Sequence, residues 1–439
     1  MAGTREDANA LYRAGNLEGA CAVYEELVAQ AGGDGEELAK LHNNLSVCFK
    51  GLGNLNAALQ HAESCLELNP EHGLCHLRAF MLSENMSHLE AAAALLGHKH
   101  SEVRPLLSKL PDAVHLLKTN EDVAQLALEL EVGSRQDIKH SLLGVLCPGS
   151  YQVNFPLVAA GRRVKLLGLG KVLLVKARPE ANLGISCEGG ELVVETISMQ
   201  EGSHAPVMGL LAAGDRSSIV TLQGCILKGS GGVTVVEGRL QARFCEFHDM
   251  TNMAVEMRSA GHVELLNCRF CGCCRGIQAA ARTGEIVIRR CEFQATKKEA
   301  VQLDGCRPAA SARAVDDKGH ATRQKLQVAN VPRDQQIAQQ YMQQVSQQTR
   351  ESLRKDKADV PPLRVQLHSN SFTETGWQAV SCGDGVHAEL FACHIMQTRA
   401  TEQMIQQEIG SQLQAQGLPV KMVKQLIQER DSHIRQGSC

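Results

Sequence analysis

The chain has 439 residues, a length that allows two or three domains. Its formal net charge of -3 argues against a general nucleic-acid-binding protein, because such proteins concentrate positive charge on one face. No stretch of about 20 apolar residues is present, and the N-terminal residues do not begin a signal peptide. We therefore expect a soluble, cytoplasmic protein.

The cysteine and aromatic contents restrict the interpretation further. The 17 cysteines are an odd number, and many occupy strand positions, where a buried thiol serves as a small apolar side chain. We expect most of them to be reduced. Aromatic residues make up 3% of the chain and Trp377 is the single tryptophan, so little is available for an aromatic sugar-binding platform.

A helical repeat with a period of about 34 residues runs through residues 1–97. The pattern is clearest in the second copy, at Leu45, Ser46, Phe49, Gly53, Leu55, Ala58, Ala62, Cys65 and Pro70. The corresponding residues of the other two copies are Ala8, Leu11, Gly15, Leu17, Ala20 and Tyr24, and then Gly73, Ala79, Leu89 and Ala92. These spacings resemble the tetratricopeptide repeat (TPR), and the resemblance implies an all-α superhelix with a concave groove.

Residues 98–145 also have a helical pattern, with a predicted cap at Asn120. We expect them to form a helical linker that caps the first coil of the next domain. Such a cap is needed because the end of a solenoid exposes apolar side chains and unpaired backbone groups.

Short strands of alternating polarity follow, and we assign residues 146–398 to them. In the most regular part, Cys225, Cys245, Cys268 and Cys291 are 20, 23 and 23 residues apart. Each repeat can bury only its inward side chains, so the repeats must stack, which predicts an internal ladder of these cysteines. The pattern resembles the β-helix repeats of pectate-lyase-like proteins and of the Shc-binding and F-box β-helix proteins. This resemblance implies a right-handed parallel β-helix.

Two further segments lie within and after the predicted coils. An insertion at 306–362 begins without apolar periodicity, so we expect this part to be mobile, and a Gln-rich four-residue repeat predicts a helix at 333–356. The coils then resume, with Asn370 and Cys393 again 23 residues apart. The tail at 399–439 has two helical segments, which either cap the last coil or bind a partner as a helix pair.

Parallel β-helices often cleave polysaccharides, which requires clustered carboxylates or aspartates that bind calcium. Here the outward residues Glu246, Arg269 and Glu292 are mixed in sign. The acids beside corner glycines, Asp304 and Asp384, are single. We therefore expect no enzymatic activity and no cofactor.

Four cysteines in one short segment are weak candidates for a metal site. Cys268, Cys271, Cys273 and Cys274 include a C-x-x-C spacing that suits zinc, but no partnering histidine lies nearby. Cys268 belongs to the predicted ladder and the others line the following turn, so packing is the favoured interpretation.

A more specific site is predicted on the helical repeats. The segment resembles TPR domains that bind the acidic C-terminal tails of heat-shock chaperones through a carboxylate clamp. By repeat position, the resemblance assigns the clamp to Arg5, Asn9, Asn44 and Arg78, whereas Leu74 stands where a lysine is expected. Cations and amides that converge in a groove can hold a terminal carboxylate through charge-assisted hydrogen bonds. The missing cation is expected to weaken binding and to loosen selectivity.

The sequence thus predicts a non-enzymatic adaptor for protein partners, with no nucleic-acid or membrane partner. The TPR groove would bind an acidic C-terminal peptide of the heat-shock chaperone type, and the β-helix or the Gln-rich helix would bind a second protein. Two alternatives stay open. One is a structural or ubiquitin-pathway scaffold with no link to chaperones, and the other is a carbohydrate-active β-helix protein.

Overall fold

A computed structural model gives the fold. It describes residues 3–135, 140–153, 157–176, 185–201, 211–280, 284–304, 363–373, 375, 380–382, 386–391 and 393–396. The predicted insertion at 306–362, its Gln-rich helix at 333–356 and the predicted tail at 399–439 lie outside the described residues.

The chain divides into two compact units. The first consists of Met1–Gln152, Arg162–Leu174 and Val193–Ser198, and the second consists of Val153–Gly161, Val175–Leu192 and Met199–Cys439. The described helices belong to the first unit, and the regular series of coils belongs to the second.

The first unit contains eight helical segments among its described residues. They are α1 (Arg5–Arg13), α2 (Leu17–Gln30), α3 (Gly35–Gly51), α4 (Leu55–Leu68), α5 (Gly73–Ser83), α6 (Met86–Leu96), the 3-10 helix η1 (Arg104–Lys109) and α7 (Asn120–Arg135). From α1 to α6, consecutive helices are linked by only two to four residues, and such short links make neighbouring helices antiparallel. Within the described part of the chain, no helix is long and apolar enough to cross a membrane.

Residues at the helix ends explain where α2 and α4 begin. Asn16 and Asn54 are the N-caps, and each side chain accepts a backbone N–H of the first turn. The preceding residues, Gly15 and Gly53, have φ angles of 81° and 79°, which glycine adopts without a steric penalty. The same turn therefore recurs in two successive helical hairpins.

The core between the helices includes small residues of the repeat pattern. Ala8, Ala20, Ala58 and Ala62 are fully buried, which allows the helices to approach closely. Tyr24, also from the pattern, is 1% exposed. The helices predicted for residues 1–97 are thus present as α1 to α6.

Residues 98–145 depart from the helical prediction at two strands, the second of which begins before the predicted boundary at residue 146. The segment Ala113–Leu117 is a strand, β1, which pairs in parallel with β2 (Leu142–Leu146). The prediction of continuous helical structure is therefore wrong there. Leu110 is forced out of the helical region by Pro111, and the short apolar run that follows continues in the extended conformation.

The coils are built from short strands. Besides β1 and β2, the described strands are β3 (Gly149–Val153), β4 (Leu157–Ala160), β5 (Arg163–Gly168), β6 (Val172–Lys176), β7 (Ile185–Glu188), β8 (Glu191–Glu195), β9 (Ser198–Glu201), β10 (Leu211–Ala213), β11 (Ile219–Gln223), β12 (Ile226–Lys228), β13 (Val233–Val235), β14 (Arg239–Arg243), β15 (Glu246–His248), β16 (Met253–Met257), β17 (Gly261–Leu266), β18 (Arg269–Cys271), β19 (Arg275–Ala279), β20 (Gly284–Arg289), β21 (Glu292–Gln294), β22 (Val301–Leu303), β23 (Leu363–His368), β24 (Ser371–Thr373), β25 (Val380–Cys382), β26 (Val386–Phe391) and β27 (His394–Met396).

Three parallel sheets organise the second unit. Their strand orders are β11-β14-β17-β20-β23-β26, β4-β7-β10-β13-β16-β19-β22-β25 and β12-β15-β18-β21-β24-β27. In the regular part each coil gives one strand to each sheet and pairs with the coils before and after it, which is the architecture of a parallel β-helix. The parallel β-helix predicted from the sequence is confirmed.

Inside the coils the predicted cysteine ladder is present. Cys225, Cys245, Cys268 and Cys291 are at most 2% exposed. The Cys268 backbone N–H donates to Cys291 Sγ at 3.4 Å, so successive coils are in contact along the ladder.

A phenylalanine ladder runs beside the cysteine ladder and was not predicted. The rings of Phe247, Phe270, Phe293 and Phe372 are fully buried, and neighbouring ring centroids are 4.7, 4.5 and 5.0 Å apart with nearly parallel planes. Stacked rings bury a large apolar area and add a specific aromatic interaction.

One position of the cysteine ladder carries an amide. Asn370 is 1% exposed, its Oδ1 accepts the Cys291 N–H at 2.8 Å, and its Nδ2 donates to the Ile288 carbonyl at 3.0 Å. Strand β23 also pairs with β20 in the register Ile286↔Val365. The first coil after residue 363 is therefore fixed to the coil before it by backbone and side-chain hydrogen bonds.

A largely buried ion cluster lies in the first unit. Lys165 Nζ on β5 is 2.7 Å from Glu90 Oε2 on α6 and 2.9 Å from Glu195 Oε2. The Ser87 hydroxyl donates to Glu195 at 2.6 Å. Burial raises the pKa of Glu90, and the ammonium group of Lys165 acts in the opposite direction. One cation thus holds two acids from separate segments.

Candidate functional site

The first two predicted clamp residues lie on one face of α1. Arg5 and Asn9 are one helical turn apart. Arg5 Nη1 is 3.0 Å from Glu37 Oε2, which belongs to the first turn of α3, and both side chains are about one-third exposed. The first cation of the predicted clamp is therefore paired with an acid of the same chain.

Tyr24 on α2 brings two predicted clamp asparagines together. Its hydroxyl donates to Asn9 Oδ1 at 2.5 Å and also hydrogen bonds to the side chain of Asn44 on α3. Burial raises the pKa of Tyr24, so the phenol stays neutral at pH 7. The repeat pattern had marked Tyr24 only as a core residue, and its polar contacts became visible only in the structure.

Arg78 on α5 is oriented by a residue that the sequence analysis missed, Asn43. Arg78 Nη1 donates to the Asn43 carbonyl at 3.3 Å and to Asn43 Oδ1 at 3.0 Å. Asn43 Nδ2 in turn donates to Asn44 Oδ1 at 3.3 Å. Hydrogen bonds therefore join Asn9, Tyr24, Asn44, Asn43 and Arg78, and this set is called the clamp network below.

Arg78 has no carboxylate partner among the residues that the structure describes. It is half-buried, and Leu74, one turn earlier on α5, is 45% exposed and carries no charge. At this end of the clamp network Arg78 is thus the cation available to an external anion. The two predicted cations differ, because Arg5 is neutralised and Arg78 is not.

A second group of side chains lies at the junction of α4 and α5. Cys65 on α4, His72 at the N-cap of α5 and Cys75 on α5 have ligand atoms that all lie within 4.8 Å of one another. The two Sγ atoms are 3.1 Å apart, and both cysteines are fully buried. His72 Nδ1 accepts the Cys75 N–H at 3.2 Å. The sequence analysis treated Cys65 as core and gave the other two no role, although their short spacing across the turn was a usable signal.

The surroundings of this group lower the pKa of the Cys75 thiol. The contact with Cys65 acts in this direction, with smaller contributions from His72 and Arg78, and burial opposes them. The same contact raises the pKa of Cys65. Arg78 Nη1 is 3.9 Å from Cys75 Sγ. Such an electropositive environment is typical of cysteines that bind metals or react.

Two histidine pairs also lie in the helical region. The Nδ1 atoms of His42 and His61 are 3.0 Å apart, as are those of His76 and His88. Burial lowers the pKa of all four, and that of His76 to about 4. These rings are therefore neutral at pH 7 and do not add cations to the clamp network.

The four cysteines proposed as weak metal candidates do not form one site. Cys268 and Cys273 are buried, whereas Cys271 and Cys274 are half-buried. Among the described residues, the only three metal-binding side chains with ligand atoms within 4.8 Å of one another are those at the junction of α4 and α5. The geometry of the four cysteines supports packing.

Many acids on the coils are paired with a base or an amide. The pairs are Glu246–His248 at 2.7 Å, Glu256–Arg258 at 2.8 Å, Glu264–Gln241 at 3.3 Å, Glu285–His262 at 3.1 Å, Glu292–Arg269 at 2.9 Å and Glu299–Arg275 at 2.9 Å. Carboxylates held in this way are poorly placed for acid and base catalysis on a glycan.

Two acids of the second unit differ from these pairs. Burial, and then the negative charge of Asp215, raise the pKa of Glu188. Burial acts on Asp215 as well, but hydrogen bonds from Ser218 and Ser217 outweigh it and lower the pKa of Asp215. Neighbouring carboxyls whose pKa values are pushed apart can act as an acid and a base.

One comparison with known proteins bears on this part of the chain. A family model described as a right-handed β-helix region matches residues 184–318. The match includes the regular coils and agrees with the three parallel sheets, so this region is a right-handed parallel β-helix. A search of curated proteins gave no match. A fold of this kind does not by itself assign an activity.

Proposed function

We propose that the chain is a non-enzymatic adaptor whose helical repeats bind the acidic C-terminus of a partner protein. The observation that carries the proposal is the environment of Arg78. Asn43 holds its guanidinium in place, no carboxylate of the described residues neutralises it, and hydrogen bonds connect it to Asn44 and Asn9. A cation beside fixed amides is suited to a terminal carboxylate.

The resemblance to TPR domains supports the same proposal. Apart from Tyr24 on α2, the clamp network lies on α1, α3 and α5, the first helix of each predicted repeat, and the resemblance places these three helices on the concave face. The expected partner is a peptide of the heat-shock chaperone type, with a terminal carboxylate and an acidic side chain beside it.

Two departures from the family pattern set the expected strength of binding. Glu37 competes with the peptide for Arg5, and Leu74 offers an apolar contact where a lysine would offer charge. Both changes reduce the electrostatic attraction. We therefore expect weaker and less selective binding than a complete clamp would give.

The β-helix is proposed as a second surface for protein partners. It exposes large apolar side chains, with Phe244 at 60% and Phe391 at 66% exposure. Phe244 also has a φ angle of 54°, a conformation that is uncommon for a bulky residue. Exposed aromatic residues contribute strongly to protein interfaces, which supports this role.

The peptide-binding proposal can be tested by titration calorimetry. The full chain is titrated with a peptide that ends in Glu-Glu-Val-Asp, with its C-terminal amide as a second ligand. We expect Arg78→Ala and amidation each to weaken binding by about tenfold, since a charge-assisted hydrogen bond contributes about 1.5 kcal/mol. Arg104→Ala, an exposed arginine on η1, is the matched control and should not change the affinity.

Equal affinities for the acid and the amide would contradict a carboxylate clamp. If a peptide with an internal acidic segment then bound as well as the C-terminal one, the scaffold alternative would gain support. Loss of binding with Arg104→Ala would point to a different surface.

The pair of Glu188 and Asp215 favours one competing function, a carbohydrate-active β-helix protein. The test is incubation of the full chain with acidic and neutral polysaccharides, followed by measurement of new reducing ends. Release of sugars that is lost in Glu188→Gln would establish the enzyme and contradict the non-enzymatic proposal. We expect no release.

A further inference from the structure

We propose that Cys65, His72 and Cys75 form a zinc-binding site at the junction of α4 and α5, with a water molecule as the fourth ligand. Two thiolates and an imidazole are ligands that zinc prefers. The three proposed ligands are not part of the clamp network, although Asn43 and Arg78 of that network lie beside Cys75. Zinc binding by these ligands does not depend on peptide binding.

The spacing of the three ligand atoms is close to that of a tetrahedral zinc site. Bond lengths of about 2.3 Å to sulfur and about 2.0 Å to nitrogen separate two sulfurs by about 3.8 Å and a sulfur from a nitrogen by about 3.5 Å. Here the sulfurs of Cys65 and Cys75 are 3.1 Å apart, and no pair of ligand atoms exceeds 4.8 Å. Coordination therefore requires the two sulfurs to separate by about 0.7 Å and a sulfur–nitrogen distance to close by at most about 1.3 Å.

The elements that carry the ligands allow these shifts. Cys65 and Cys75 lie on α4 and α5, and rotation of their side chains can separate the sulfurs while the helices stay in place. His72 ends the four-residue link between the two helices and is half-buried, so the imidazole can make the larger adjustment. Coordination by either ring nitrogen replaces the hydrogen bond in which Nδ1 accepts the Cys75 N–H.

Charge in and around the site is compatible with the ion. Zinc with two thiolates and a neutral imidazole has no net charge, so the guanidinium of Arg78, 3.9 Å from Cys75 Sγ, is not repelled and can donate an N–H to the thiolate. Asn43 Oδ1, which is 3.2 Å from the same sulfur, already accepts a hydrogen bond from Arg78. This is why a water molecule, and not Asn43, is assigned to the fourth position.

The main competing interpretation is a disulfide between the two cysteines. Both side chains are fully buried, which shields them from oxidants, and a disulfide would leave His72 with the N-cap of α5 as its one role. A metal site uses all three side chains. It would also tie α4 to α5 next to the asparagine that orients Arg78.

The experiment uses the full chain, reduced and stripped of metal with a chelator. Zn²⁺ is titrated in competition with a colorimetric chelator, and Co²⁺ is used as a spectroscopic probe of the ligands. We expect one tight equivalent of zinc and a thiolate-to-cobalt charge-transfer band. The single variants Cys65→Ala and Cys75→Ser should each abolish this equivalent. The variant His72→Gln should weaken zinc binding by about tenfold or more.

Two controls separate this site from other cysteines. Cys271→Ser changes a half-buried cysteine of the β-helix, and Cys48→Ala changes a buried cysteine of α3. Both should keep the tight equivalent, and circular dichroism should show the same helix content in every variant.

The proposal is overturned if the tight equivalent survives in Cys65→Ala and Cys75→Ser, or if the cobalt spectrum shows no thiolate ligand. It is equally overturned if mass spectrometry of the native protein finds these two cysteines joined in a disulfide. Cys65→Ala places another small residue in a helix core, so this variant should fold. The test therefore does not depend on the folding of Cys75→Ser alone.

Discussion

The helical hairpins and the coils bury their side chains in different ways. In the coils the same side chain returns at the same place, so that cysteine lies on cysteine and phenylalanine on phenylalanine. Between the helices the polar contacts differ from one hairpin to the next, with a tyrosine and asparagines in one place and histidine pairs in others. Regular repetition serves stability, and the candidate binding sites lie where the repeats differ from one another.

The largest effect is expected from breaking the phenylalanine ladder. Phe270→Ala removes a fully buried ring that stacks on Phe247 and Phe293, so it should destabilise the coils by about 4 kcal/mol. Hydrogen exchange of β15, β18 and β21 measures the change. Phe244→Ala, at a ring that is 60% exposed, is the control and should change exchange little. Unchanged protection in Phe270→Ala would mean that the ladder does not stabilise the coils.

A somewhat smaller effect is expected in the first unit from Lys165→Met. The change leaves the buried Glu90 and the half-buried Glu195 without their shared cation, at a cost of about 3 kcal/mol. Hydrogen exchange of α6 and β5 reports the loss. Adding Glu90→Gln and Glu195→Gln to the variant should restore most of the protection, and a triple variant as unstable as Lys165→Met would show that charge is not the cause.

The histidine pairs predict a pH dependence that the coil ladders do not share. Burial lowers the pKa of His42 and His61 in the folded protein, so the unfolded chain binds more protons as pH falls below about 6.5. The free energy of unfolding of the helices should then decrease as the pH is lowered, by up to about 1.4 kcal/mol per pH unit for each histidine. The decrease should stop at a pH below the pKa values of the two histidines in the folded protein.

Hydrogen exchange of α3 and α4 between pH 7.5 and 5, corrected for the intrinsic rate, tests this dependence. The double variant His42→Gln, His61→Gln should show a smaller decrease than the wild type. His98→Gln, at an exposed histidine, should behave as the wild type does. An unchanged dependence in the double variant would assign the effect to other groups.

The smallest effect is expected at the clamp network. Leu74→Lys supplies the cation that the TPR pattern expects, and it should tighten binding of the acidic peptide by about 1 kcal/mol, or about fivefold. Leu52→Lys, at another exposed leucine, is the matched control. Peptide titration measures both, and equal gains in the two variants would indicate a general effect of charge and no specific clamp.

The coils could be predicted because their sequence pattern is repeated. Cys225, Cys245, Cys268 and Cys291 could each be checked against the others, and the structure places all four in one ladder. The phenylalanine two residues after a ladder cysteine carries the same period and could have been found in the same way. By contrast, β1 occurs once, at the edge of a helical pattern, and no repeat could correct that prediction.

The candidate sites were only partly predictable, for a related reason. Repeat positions locate Arg5 and Arg78 on their helices, but they do not show that Glu37 neutralises one cation and Asn43 orients the other. Such contacts depend on side chains from different hairpins, and repeat spacing carries no information about them. The group at the junction of α4 and α5 was missed because its residues belong to two adjacent repeats.

The amide in the cysteine ladder has a consequence for how this chain can change in length. Asn370 and the pairing of β20 with β23 set the register of the resumed coil from residues of the coils themselves. The connection between residues 304 and 363 is therefore not needed to define that register. For a connection that closes as a flexible loop, each doubling of its length costs only about 0.6 kcal/mol. This corner of the β-helix is thus a place where new sequence can be gained or lost during evolution while the coils on both sides stay paired.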